Sequence, residues 1–227
     1  MEFVAHRAGN TVDTLHAAQR VADVIEVDVH LGADSLPEVR HAKLLWPTRR
    51  FWERWYLLPE GTVAPHFDEI LAAAEPTTAL WLDLKGFTRR LSRRVILEIE
   101  DRQEVTVSSK SWWLLDPFVD QPGVRVFRSV GNRFELALLL SVPSRVRLDG
   151  VVAHHRLLSD RVVRQLLRRG QVFTWAVGDI ASIERLARLG VQGVILDDLA
   201  LIAPGRSVAA AADKARAGQD HRGVSNP

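Results

Sequence analysis

Eight short runs rich in β-branched and aromatic residues recur along the chain, each separated from the next by residues with helical spacing. They are Phe3–Arg7, Val24–Leu31, Ala79–Lys85, Val105–Ser109, Arg125–Val130, Gly150–His154, Val172–Val177 and Gly193–Leu196. Such near-continuous apolar runs read as parallel strands buried on both faces. Between them lie "NTVDTLHAAQRV", "SDRVVRQLLRRG" and "DIASIERLARLG"; the last two open on a Ser or Asp cap and close on Gly, as helices do. Alternation of this kind predicts an α/β fold, a single-domain (β/α)₈ TIM barrel, and 227 residues suffice to close one. An open, doubly wound sheet is the alternative, but neither common glycine-rich phosphate loop is present to favour it.

Two regions break the rhythm. Residues 32–69 hold a loop, an extra short strand at "EVRHA" and the basic, Trp-rich stretch "LLWPTRRFWERWYLLPEG", read as an insertion after the second strand. The barrel is expected over residues 1–204, and residues 205–227 as a C-terminal helix with a disordered end. No apolar stretch reaches the ~18–20 residues that span a bilayer. The opening "MEFVAHR" lacks the basic and apolar regions of a secretory leader, so a cytoplasmic location is expected. Cysteine is absent, which removes disulfides, thiolate metal sites and a cysteine nucleophile together. The net charge is only +2, and with a single tyrosine little titrates between neutrality and lysine, so the basic pI does not imply a nucleic-acid partner.

In a barrel of this type active sites form at the C-terminal strand ends. The polar residues there make a pattern. The first strand ends in His6 and Arg7. The second carries Glu26 and Asp28, two apart and so on one face. The third repeats the device with Asp83 and Lys85, the extra strand contributes His41, and the seventh contributes Trp175. Glu26, Asp28 and Asp83 would thus converge in the barrel mouth, where three carboxylates repel one another unless a hard divalent cation such as Mg²⁺ or Ca²⁺ neutralises them. Arg7 and Lys85 beside that cation suit an anionic group such as a phosphate, and His6 and His41 suit acid–base work near neutral pH. Taken singly, an E-x-D on a strand is usually a solvated face and a strand Trp is usually core. It is the conjunction that points to a site.

From "AHRAGNT" through "VIEVDVHLG", "EVRHAKLL", "APHFDEIL", "WLDLKG", "VSSKSW", "VFTWAVGD" and "GVQGVILDD", the chain resembles the glycerophosphodiester phosphodiesterases, in order over nearly all of residues 3–200. The resemblance implies metal-dependent hydrolysis of a small glycerophosphodiester. His6 and His41 would be the catalytic pair, Glu26, Asp28 and Asp83 the metal ligands, Arg7 and Lys85 the phosphate ligands, and Trp175 a contact to the organic part. His66, His154 and His155 are expected to be dispensable for the chemistry.

Several positions depart from the family pattern. Ala8 stands for a glycine in a shortened first loop, Asp83 for the usual Glu, and Leu196 for a threonine. Ala42 replaces the aspartate after the second histidine, so His41 is expected to be held by a backbone carbonyl or by another acid, with Glu38 and Asp34 nearest in sequence. Two other functions compete. Trp46, Trp52, Trp55 and Tyr56 with Arg49, Arg50 and Arg54 suggest a lid for a lysolipid, and hence a lysophospholipase D or sphingomyelinase D-like enzyme. Ala42 and the short loop suggest instead a catalytically silent barrel that binds a phosphorylated ligand.

Overall fold

The computed structural model describes residues 1–45, 50–53, 55–141 and 149–222. In chain order the elements begin with β1 (Glu2–Ala5), α1 (Val12–Gln19) and β2 (Val24–Leu31). An insertion follows: β3 (Pro37–Val39), β4 (Lys43–Leu45), β5 (Arg50–Glu53), β6 (Tyr56–Leu57) and α2 (Phe67–Ala73). Then come β7 (Ala79–Leu84), α3 (Arg89–Glu98), β8 (Val105–Ser109), β9 (Val124–Val130) and α4 (Arg133–Ser141). The chain continues with β10 (Gly150–His154), α5 (Asp160–Leu167), β11 (Gln171–Val177), α6 (Ile180–Arg188), β12 (Gly193–Leu196) and α7 (Ile202–Arg222).

Strands β1, β2, β7, β8, β9, β10, β11 and β12 pair in parallel in the cyclic order β1-β12-β11-β10-β9-β8-β7-β2, and β1 returns to β2 to close the barrel. These are the eight strands expected from sequence. The closing seam is short: Val4 pairs Val24 and Ala5 pairs Ile25, whereas β1 pairs β12 along its whole length from Glu2 to Ala5. The expected caps are also in place, with Ser159 accepting from Val162 N ahead of α5 and Asp179 from Ser182 N ahead of α6.

The alternation fails once. Between β8 and β9 the chain makes only two 3₁₀ turns, Trp112–Leu114 and Asp116–Phe118, where Pro117 lacks the N–H that a continuing helix would need. In the insertion, β3 stops at Val39, so His41 lies on the turn beyond it and not on an extra strand. The Trp-rich stretch forms a three-stranded antiparallel sheet, β4-β5-β6. Trp46, Arg49 and Arg54 of that stretch lie outside the described residues, as do residues 223–227 of the tail.

Strand alternation sorts the side chains. One set packs outward against the helices, where Leu82, Val107, Val151, Val172 and Val194 are fully buried. The other fills the barrel: Val4, Val24, Trp81, Phe127, Val152, Phe173 and Ile195 form a separate cluster. Trp81 lies 4.9 Å from Phe127 and from Phe173, and the two Phe rings meet edge-on at 5.2 Å. Such pairs add about 0.5–1.5 kcal/mol each beyond their burial. Two glycines make room for the rings. A Cβ on Gly150 would stand 2.0 Å from Phe127, and one on Gly193 2.0 Å from Phe173. This aromatic plug sets the floor on which the polar residues stand.

Candidate active site

Two residues beyond each plug residue, towards the C-terminal end, the same inward face carries a polar group. The steps are Val4 to His6, Val24 to Glu26 and Asp28, Trp81 to Asp83 and Lys85, Phe127 to Ser129, Val152 to His154, Phe173 to Trp175, and Ile195 to Asp197. Here they border a cavity of about 400 Å³ lined by His6, Arg7, Glu26, His41, Asp83, Lys85 and Trp175, with Asp28 fully buried just beneath. All eight residues expected at the site are therefore brought to one place. A larger hollow of about 920 Å³ lies at the other end of the barrel, lined by strand starts and by no histidine.

Parallel register places the acids. Asp28 on β2 sits directly beside Asp83 on β7, and Glu26 beside Trp81. One oxygen from each of Glu26, Asp28 and Asp83 lies within 4.8 Å of the others. Glu26 accepts from Arg7 N at 2.5 Å. Asp28 is clamped by Asn10, whose side-chain amide donates to Oδ2 at 3.0 Å while its carbonyl accepts from Asp28 N at 2.8 Å. Ser108 Oγ donates to Asp83 at 3.0 Å and itself accepts from Trp81 Nε1 at 2.9 Å. Lys85 Nζ lies 2.8 Å from Asp28 and also against Asp83, while Arg7 Nε is 3.6 Å from Asp28.

The electrostatics are those of a crowded anion site. Burial, then the neighbouring Asp28 charge, pushes the Glu26 carboxyl well above the usual range. Burial also opposes the Asp28 charge, but Lys85, Asn10 and Arg7 outweigh it and hold that carboxyl low. For Lys85 the penalty of burial is overcome by Asp83, Asp28 and Glu26, which raise its pKa. Asp28 Oδ1 is buried and has the Lys85 ammonium, 2.8 Å away, as its partner. An all-oxygen set of three close carboxylates, one of them destabilised by burial and by its neighbour's charge, fits a hard divalent cation.

The two histidines are held by acids from other parts of the chain. His6 Nδ1 is 2.5 Å from Asp197, which follows β12, and His6 Nε2 is 3.8 Å from Glu26. Burial lowers the His6 pKa, against the opposing effect of Asp197. His41 Nδ1 is 2.5 Å from Glu53 on β5. The expected holders Glu38 and Asp34 are thus corrected: Glu38 is engaged by Arg40, Asp34 lies 3.8 Å from His66, and the small sheet delivers a carboxylate from twelve residues away. Arg7 sits in the left-handed region at φ 56, a strained conformation for a residue with a side chain. There its N–H meets Glu26 while its guanidinium reaches Asp28.

Other groups at the cavity were not anticipated. Lys110, His154, His155 and Arg156 line it beside Trp175. His154 ends β10 and His155 follows it, and this strand-end position sets them apart from His66, although the residue types alone predict all three to be dispensable. Lys110 directly follows "VTVSS", at a strand end like the others, and that position is the signal that could have found it. Asn10 was visible only as half of an Asn-Thr pair.

No protein-family model matches the chain, and no curated protein matches it in sequence. Solved structures do match. A phosphodiesterase from Oleispira antarctica, in complex with the product sn-glycerol-3-phosphate, aligns at TM-score 0.71 and 17% identity over 91% of this chain and 97% of its own. A glycerophosphodiester phosphodiesterase from Thermotoga maritima aligns at 0.71 and 18% over 90% and 97%. Another from Agrobacterium tumefaciens aligns at 0.66 and 17% over 91% and 99%. Among the described residues no helix is long and apolar enough to cross a membrane. Over nearly its full length, the chain has the TIM-barrel fold in which these phosphodiesterases are built.

Proposed function

We propose that the cavity hydrolyses a glycerophosphodiester to glycerol phosphate and an alcohol, making the protein a phosphoric diester hydrolase of the glycerophosphodiester phosphodiesterase type. One observation carries this reading: two acid-held imidazoles, His6 and His41, open onto the same cavity as the Glu26–Asp28–Asp83 cluster and the cations Arg7 and Lys85. The fold shared with the phosphodiesterases named above supports it.

Held by Glu26, Asp28 and Asp83, Mg²⁺ or Ca²⁺ would supply Lewis-acid polarisation of a phosphoryl oxygen. Arg7 and Lys85 bind the phosphate and spread the charge that builds on it. With Nδ1–H engaged by Asp197 and the ring kept neutral by burial, His6 offers Nε2 as the general base that takes the proton from the attacking water. His41, with Nδ1 on Glu53, gives the proton at Nε2 to the departing alkoxide. Trp175 packs on the organic part. A lysolipid is a second reading, supported by the exposed Trp55 and Tyr56 on the small sheet that carries Glu53.

The test is turnover of glycerophosphocholine, glycerophosphoethanolamine, glycerophosphoinositol and a lysophospholipid by the pure protein with Mg²⁺ or Ca²⁺. Release of glycerol phosphate from a soluble diester, abolished by chelator, is expected. Preference for the lysolipid would select the second reading. No metal-dependent turnover of any diester would leave a silent, ligand-binding barrel.

A further inference from the structure

Two cations stand on the cavity wall around Trp175. Lys110 and Arg156 line it, and neither is ion-paired among the described residues. Lys110 Nζ stands 5.3 Å from the centroid of the Trp175 ring, and His154 meets the same ring edge-on at 4.8 Å. His154 Nδ1 accepts from Arg156 N at 3.2 Å, which leaves Nε2–H as a donor. Burial, reinforced by the charges of His155, Arg156 and Lys110, lowers the His154 pKa and keeps it a neutral donor. The acids of the cavity are engaged away from Trp175, Asp83 by Lys85, Asp197 by His6 and Glu26 by the Arg7 N–H.

This arrangement is unsuited to a cationic alcohol. The aromatic face on which a quaternary ammonium would rest already carries the protein's own ammonium, and the surrounding charge would repel it. We propose that the arm of the diester lying against Trp175 bears an anionic group of its own, a carboxylate or a phosphate, received by Lys110 and Arg156 with His154 donating. The inference rests on the phosphodiesterase reading and narrows its substrate class.

Product-like monoesters test it without turnover. In calorimetric titrations 3-phosphoglycerate, glycerol 3-phosphate and phosphocholine present an anionic, a neutral and a cationic arm on one phosphate. The first should bind about tenfold more tightly than the second, as expected from a few partly exposed charge pairs, and phosphocholine should bind weakest. The matching glycerol diesters should follow the same order in kcat/KM. Lys110 is exposed, so Lys110→Glu should fold, with an unchanged thermal midpoint, and should reverse the order of the first and last ligands. Equal affinity for all three, or an order unaltered by Lys110→Glu, overturns the inference, while continued diester hydrolysis leaves the phosphodiesterase reading standing. Absence of both monoester binding and diester turnover removes the two together.

Discussion

The two ends of the barrel use the same residue types to opposite effect. At the N-terminal end several polar side chains are matched to backbone donors or to an opposite charge. Asp23 accepts from Phe3 N at 2.8 Å, Asp149 from Val126 N at 2.9 Å and Gln192 from Val172 N at 2.7 Å, so side chains satisfy backbone donors at the strand starts. Arg125 there joins Glu2 at 3.2 Å and Thr106 at 3.0 Å. At the C-terminal end three carboxylates crowd within 4.8 Å and two histidines face one cavity. Among the described residues, the end with the larger hollow holds no such cluster of buried carboxylates. Unrelieved charge, and not volume, marks the place where a ligand is needed.

That contrast is sharpest at Glu26. Glu26→Gln should lower turnover by about 10³-fold, the scale of several kcal/mol of lost transition-state charge stabilisation. It should also stabilise the chelated protein. Glu26's folded pKa lies above its unfolded value, so the fold binds the proton more tightly than the unfolded chain. Stability of the chelated wild type should therefore fall as pH rises from the ordinary carboxylate range through the raised value, and the variant should lose that slope. Thermal melts across pH with chelator decide it; an identical slope in both proteins would place the strain elsewhere.

Next in size, His6→Ala and His41→Ala should each cut kcat by ~10²–10⁴-fold with little change in melting temperature. Full activity in either variant would remove that residue from the chemistry. Glu53→Gln should act through His41 and reduce kcat by about tenfold, with a displaced limb in the pH–rate profile. A change in KM alone would make Glu53 a structural neighbour. The smallest effect belongs to the other end. Asp23→Ala orphans the Phe3 N–H and releases Arg206, costing about 1–2 kcal/mol of stability in denaturant titrations while kcat stays at its wild-type value. Should Asp23→Ala impair turnover instead, the two ends are not independent.

The barrel was legible because its parallel strands are buried on both faces and so read as compact β-branched runs, such as "VIEVDV" and "GVVA". Inward acids two residues apart were legible because strand periodicity is local. The missing helix after β8 was harder to see, since Leu114, Leu115 and Phe118 have helix-compatible spacing and only Pro117 and Pro122 object. Glu53 as the partner of His41 was illegible for a different reason. It is delivered by an antiparallel sheet whose register, Lys43 opposite Trp52 and Glu53 opposite Tyr56, is set by pairing and not by nearness in sequence. Lys110 was passed over because an exposed lysine after a strand is ordinary until the fold sets it over Trp175.

The short seam between β1 and β2 bears on when the protein can work as it is made. The first strand has two residue pairs with its neighbour in sequence but four with β12, the last barrel strand to be synthesised. His6 and Arg7 leave β1 directly, and His6 takes its support from Leu196 O at 2.9 Å and from Asp197. The carboxylates of β2 and β7 can be paired early, yet the histidine beside them is held only after the chain has come full circle. Closing so long a loop is a late step in folding. A nascent or truncated chain thus carries the acidic half of the cavity without a fixed His6, and the cavity is complete only with the last strand.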